Sequence, residues 1–217
     1  MTSLCTPRQT AQIRRVRENI MPATKGKIMN SPIANFRRLM VVAGLMCSMA
    51  AAAEVSPSPS FWSTPEIQGY GKIHFLPDSA FKPEKNQRYK IVFSLTKGSK
   101  NPDEINSSLD HVARTVNLYV ASGVPLSHLI FVAVASGEAT SLTLSREAYQ
   151  KHFGVANPNT DLLKKLSRAG VKVAVCGQAV AEHQFDYSEI DSSVTTSLSA
   201  LTTITTLEQQ GYSLMPL

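Results

Sequence analysis

Several features that commonly announce a function are scarce or missing in this 217-residue chain. No apolar run approaches the roughly 20 residues that a bilayer-spanning helix needs. There is no CxxC pair and no G-x-S-x-G elbow. No set of histidine, cysteine and carboxylate residues stands at metal-ligand spacing. These absences exclude dithiol exchange within one chain and leave serine-hydrolase chemistry and a bound metal unsupported. Nor does the sequence name a cofactor.

The basic balance is confined to one end. Residues 1–53 hold eight of the 22 Lys and Arg but only one of the 16 Asp and Glu, so the remainder carries 14 basic against 15 acidic residues. The formal charge of +6 is therefore a property of the first quarter. Without a basic stripe interleaved with aromatics, nucleic-acid binding has no compositional basis.

That first quarter reads as an address. In NFRRLMVVAGLMCSMAAAAEV, Arg37 and Arg38 precede an apolar run from Leu39 to Met49, and small residues follow with an A-x-A pattern at Ala51 to Ala53. This is the grammar of a secretory signal peptide cleaved near Ala53, and it predicts a periplasmic or secreted product with no stable membrane span after processing. Gly44, Leu45 and Met46 suit a lipoprotein signal ending at Cys47 poorly. The arginine-rich stretch ahead of this signal suggests Met29 as the true start. Cleavage would remove Cys5 and Cys47, leaving Cys176 alone, so no intramolecular disulfide could form.

Residues 54–88 are rich in proline and serine, with scattered aromatics Phe61, Trp62, Tyr70, Phe75 and Phe81. The Ser-Pro part reads as a linker, and the aromatics predict that the rest lies against the body or a neighbouring subunit. From Tyr89 the pattern becomes that of one domain. YKIVFSL (Tyr89 to Leu95), LIFVAVA (Leu129 to Ala135) and VKVAV (Val171 to Val175) read as buried strands, with Val194 to Ser197 and Tyr212 to Met215 as shorter ones. Helices are expected from Pro102 to Gly123, over Leu142 to Phe153, Thr160 to Ala169, Gln178 to His183 and Leu198 to Gln210. Doubly apolar strands alternating with helices predict an α/β fold: a three-layer α/β/α sandwich with a mainly parallel sheet of about five strands.

In such sheets ligands bind in the crevice at the strand C-termini. Three strand ends converge there: Thr96-Lys97-Gly98, Ser136-Gly137 and Cys176-Gly177. A thiol between a strand end and a helix start feels unpaired amides that favour its thiolate, and Gly177 would let a substrate approach. Cysteine is equally a residue that fills buried space, so placement alone leaves both readings open. His183, seven positions after Cys176, reads as a solvent-facing helical residue, and His111 and His128 as structural or exposed. Lys97 reads as a solvated loop lysine or as a cation over the crevice, Glu138 reads as a base or a helix-leading carboxylate, and Asn157-Pro158-Asn159 reads as a helix cap.

The runs GVKVAVCGQAV, ANPNTDLLKKLSRAG and SALTTITTLEQQGYSLMPL together resemble secreted members of the DsrE/DsrF-like family of sulfur-relay proteins, over about Tyr89 to Leu217. The resemblance implies homotrimers or hexamers, with Cys176 carrying sulfur as a persulfide received from a small sulfur species or a sulfur-carrier protein. It makes Cys176 the catalytic candidate, with Gly177, Ser136, Gly137, Thr96 and Lys97 shaping the substrate pocket. Secreted relatives often show His-Gly where this chain has Ser136-Gly137, which removes a candidate acid, base or metal ligand. The alternative is a non-catalytic oligomeric module that binds a small ligand or a protein and whose cysteine only packs.

Overall fold

The computed structural model describes residues 61–217. The expected leader, with Met29, Cys5, Cys47 and the cleavage position near Ala53, and the Ser-Pro stretch through Ser60 lie outside the described residues.

Five strands form one sheet: β1 (Tyr89–Leu95), β2 (Leu129–Ala135), β3 (Lys172–Cys176), β4 (Val194–Ser197) and β5 (Ser213–Pro216). Their spatial order is β4-β3-β2-β1-β5, and every neighbouring pair is parallel. The helices are α1 (Ser107–Ala121), α2 (Arg146–Phe153), α3 (Thr160–Arg168), α4 (Gly177–Glu182) and α5 (Ala200–Gln209). Strand alternation divides the core. Ile91, Phe93, Leu95, Phe131, Ala133, Ala135 and Val173 face α1 and α3, whereas Val92, Val132, Val134 and Cys176 face the other way, toward Ala179 of α4 and Ala200 of α5. The sheet is thus flanked by helices, and all of its pairing, not merely most of it, is parallel.

Local chemistry shifts several element ends. α1 begins at Ser107 instead of Pro102, because the Asn106 side chain accepts the Leu109 amide and takes the N-cap. The expected helix over Leu142 to Phe153 is split into a 3-10 segment, Gly137–Thr143, and α2. Between them Leu144 bridges Ile190 and Ser145 caps α2 by accepting the Ala148 amide, so those backbone groups leave the helical ladder. β3 runs one residue further than its apolar pattern, taking Cys176 into the sheet as the partner of Ser197.

Residues 61–88 form a strap held on α1. Asn117, fully buried, makes four hydrogen bonds with it: its Oδ1 accepts from the amides of Glu66 and Ile67, and its Nδ2 donates to the carbonyls of Tyr70 and Gly71. Gly71, at φ +58°, lies so close to α1 that a Cβ there would sit 2.2 Å from the Arg114 amide nitrogen. Ile67 and Ile73 are buried. The expectation that the strap aromatics lie against the body holds only in part. Tyr70 and Phe75 are partly covered, but Phe61, Trp62 and Phe81 are exposed because the strap turns its isoleucines inward.

Candidate functional site

The sheet register brings the three strand ends together. Leu95 pairs with Ala135 and Ala135 with Val175, so the next position along each strand is Thr96, Ser136 and Cys176, with Ser197 opposite Cys176. The Ser136 amide donates to the Leu95 carbonyl at 2.9 Å, which carries the β1–β2 pairing past the formal strand end. Parallel strands lie about 4.8 Å apart. By alternation these four residues share the α5-side face, on which Val92 and Val134 pack with Cys176. The Thr96 and Ser136 hydroxyls make no hydrogen bond among the described residues, so each is available to a ligand.

Cys176 is the N-cap of α4, yet its side chain makes no capping hydrogen bond. It is 6% exposed and packs among Val92, Val132, Val134, Ala179 and Ala200. Two side chains tie the chain around it. The Tyr187 hydroxyl donates to the Gly177 carbonyl at 2.9 Å, and Gln178 Nε2 donates to the Leu198 carbonyl at 3.1 Å. No sequence signal marks Tyr187, since nothing in its spacing places it over a residue ten positions earlier.

Gly177 is also buried, and the space beside it is taken. A Cβ there would sit 2.8 Å from the Ser197 carbonyl oxygen and 3.4 Å from that of Leu198. The missing side chain thus admits the chain's own β4–α5 connection, the physical reason for glycine in place of the substrate opening expected. Gly137 is exposed, with φ +53°, and turns the chain out of β2. Lys97 is an exposed loop residue whose carbonyl accepts from Asn106 Nδ2. Glu138 is exposed and packs its Cβ toward Gly98.

His183 does not point into solvent as expected. Its Nε2 lies 2.9 Å from the Gly137 carbonyl and its ring stacks on Phe185 at 5.5 Å, which clips the end of α4 to the turn after β2. His111 is exposed, and His128 is partly buried with its Nδ1 lacking a partner. Asn159 occupies the N-cap of α3 without a side-chain capping bond; its Oδ1 accepts the Asn106 amide instead, while Asn157 Oδ1 accepts from the Asn159 backbone. No group of three or more His, Cys, Asp or Glu that could hold a metal ion occurs among the described residues. No described helix is long and apolar enough to cross a membrane.

A strongly perturbed carboxylate lies away from the thiol. Lys151 and His152 of α2 both reach Glu189 at 2.9 Å, and hydrogen bonds from the two, Lys151's first, hold its pKa down at about 2. This pair ties α2 to the segment that carries Tyr187.

No curated protein matches the chain. Among solved structures, it resembles the protein of unknown function MTH1491 from Methanobacterium thermoautotrophicum, with 16% identity, a TM-score of 0.45 and coverage of 59% of this chain and 99% of that one. It also resembles the YchN protein from E. coli, with 15% identity, a TM-score of 0.43 and the same coverage. Residues 89–217, the span that builds the sheet and carries Cys176, match the DsrE/DsrF-like family, and the chain belongs to that family.

Proposed function

We propose that this protein is an exported sulfur carrier that holds a sulfane sulfur on Cys176. The observation that carries the reading is the common register position of Thr96, Ser136 and Cys176 at the C-terminal edge of three adjacent strands, where parallel sheets bind ligands. In the transfer step the Cys176 thiolate attacks the outer sulfur of a donor persulfide. The donor S–S bond breaks, a new S–S bond forms on Cys176, and the donor leaves as its thiolate with the bonding electron pair. Total oxidation state is conserved, and no cofactor is needed. The free hydroxyls of Thr96 and Ser136 are the groups placed to bond the incoming sulfur species, with Lys97 and Gly137 at the rim. At 6% exposure, the thiol reacts only when its cover opens.

Homo-oligomer formation, as a trimer or hexamer, belongs to the same proposal. Leu198 in the β4–α5 connection and Leu201 in the first turn of α5, 73% and 79% exposed, give a partner subunit an apolar footing. Export to the periplasm or beyond rests on the leader sequence and is checked by cell fractionation with N-terminal sequencing.

The second reading, a binding module with a structural cysteine, draws on the aliphatic packing around the sulfur. Polysulfide treatment of the folded protein, followed by alkylation and mass mapping, separates the two. The carrier reading expects a persulfide confined to Cys176 and absent in Cys176→Ser. A thiol that stays unlabelled until the protein is denatured would refute it.

A further inference from the structure

We infer that a notch at the far end of the sheet from Cys176 binds a small amphipathic carboxylate, with its apolar body against Tyr89 and Tyr119 and its charged head against Arg88 and Lys90. A strand rises about 3.3 Å per residue, so along β1 Tyr89 stands about 23 Å from Thr96, and the notch is separate from the thiol site.

The notch follows from the register. β2 pairs with β1 from Tyr89 onward, whereas β5 joins β1 only from Ser213, opposite Ile91. Tyr89 and Lys90 therefore have a strand on one side alone. Gly211 turns the chain from α5 into β5 at φ +84°, and a Cβ there would meet nothing within 4 Å, so the turn leaves that side open. The result is a cleft of about 500 Å³, within the roughly 300–1,000 Å³ of small-molecule sites.

The two walls differ in chemistry. Tyr89, Ile91, Tyr119 and Met215 make an apolar wall that is continuous with the core under α1. That wall is preformed. Tyr89 and Tyr119 meet edge to face with centroids 4.7 Å apart, Tyr119 stands against Phe131 at 5.5 Å, and the Tyr89 hydroxyl accepts the Glu84 amide and donates to the Glu84 carbonyl. The polar wall is cationic: of the eleven described residues that line the notch, Arg88 and Lys90 are basic and none is acidic. Lys90 donates to the Gln210 carbonyl at 2.9 Å with its ammonium 5.6 Å from the Tyr212 ring centre, which fixes the charge in place and leaves two of its three hydrogens for a ligand. Arg88 makes no ion pair or hydrogen bond among the described residues, and its guanidinium matches a carboxylate fork to fork. Two cations with no acid beside them select an anion, and the aromatic wall selects one with a flat apolar body. An inorganic anion would leave that wall wet, and a neutral hydrocarbon would leave both cations unused.

The test titrates the full chain by calorimetry with 1-naphthylacetate, its uncharged analogue 1-naphthylacetamide, and acetate, and locates the bound acid by hydrogen exchange. One naphthylacetate per chain is expected to bind, slowing exchange over residues 87–91 and 211–216 with no change around Cys176. The amide is expected to bind about tenfold more weakly, and acetate, which lacks the apolar body, about a hundredfold. Arg88 is exposed, so Arg88→Gln should keep the melting temperature while weakening the acid about tenfold and leaving the amide unchanged. No saturation at millimolar naphthylacetate, equal affinities for acid and amide, protection elsewhere in the chain, or an Arg88→Gln variant that binds the acid like wild type would overturn the proposal. Protection of the same residues that rises with protein concentration without ligand would give the notch to a second copy and overturn it as well.

Discussion

Replacing Gly177 with alanine tests whether this glycine serves packing or ligand access. The new methyl would lie 2.8 Å from the Ser197 carbonyl oxygen, a distance that real Cβ atoms essentially never show, so the neighbour must retreat by about half an ångström to reach ordinary contact. That neighbour is backbone, in the strand paired with Cys176, so it cannot simply rotate aside. Overpacking of this kind costs about 1–3 kcal/mol. Gly177 opens α4, where alanine gains up to about 1 kcal/mol over glycine, leaving a net loss of about 0–3 kcal/mol. Urea denaturation measures that loss. The same displacement pushes the edge strand β4 away from the sulfur, so the alkylation rate of native Cys176 is expected to rise. A variant as stable as wild type or more so, with an unchanged alkylation rate, would show that the contact is soft and that packing does not dictate the glycine.

Asn117→Ala removes four hydrogen bonds to the strap, worth about 3–5 kcal/mol together, and hydrogen exchange should show the amides around Glu66 to Gly71 losing protection while the sheet keeps its own. The Glu189 pKa, lowered from its ordinary 4.5 to about 2, means a stabilising contribution fully present above pH 4.5 and lost as the pH falls toward 2; Glu189→Gln should flatten the acid limb of the stability curve over that window. Tyr187→Phe deletes the hydrogen bond to the Gly177 carbonyl, worth about 1 kcal/mol, and is expected to speed alkylation of Cys176 by up to about fivefold. An unchanged rate would place the cover over the thiol in the β4–α5 connection instead.

The sheet was legible because its chemistry is local. β2 is apolar throughout and β1 is apolar apart from Lys90 and Ser94, which is close to what strands covered on both faces require, and their predicted limits coincide with the observed ones. Ends decided by side chains from elsewhere were not legible. The extra residue of β3 comes from pairing with β4, and the break before α2 from the bridge between Leu144 and Ile190, 46 positions apart. The candidate site divides the same way. That Thr96, Ser136 and Cys176 occupy strand ends follows from the apolar runs, but their common level requires the register, and the Tyr187 and His183 contacts require tertiary structure.

The two readings of Cys176 differ less in geometry than in what moves. A thiol 6% exposed among aliphatic side chains is inert while its surroundings stay closed, and the sheet beneath it, with Val92 and Val134 fully buried, has no freedom to open. The pieces above the sulfur are slighter. α4 has six residues, β4 is an edge strand of four, and Leu198 in the connection that follows and Leu201 at the start of α5 are mostly exposed. Local opening draws on such segments, which bury little apolar area and hold few hydrogen bonds. Access to the thiol is therefore governed by the attachment of this rim, through Tyr187 on one side and the fit of Gly177 against Ser197 on the other. A subunit seated on Leu198 and Leu201 would hold that rim in one position, so oligomer formation and thiol reactivity should change together.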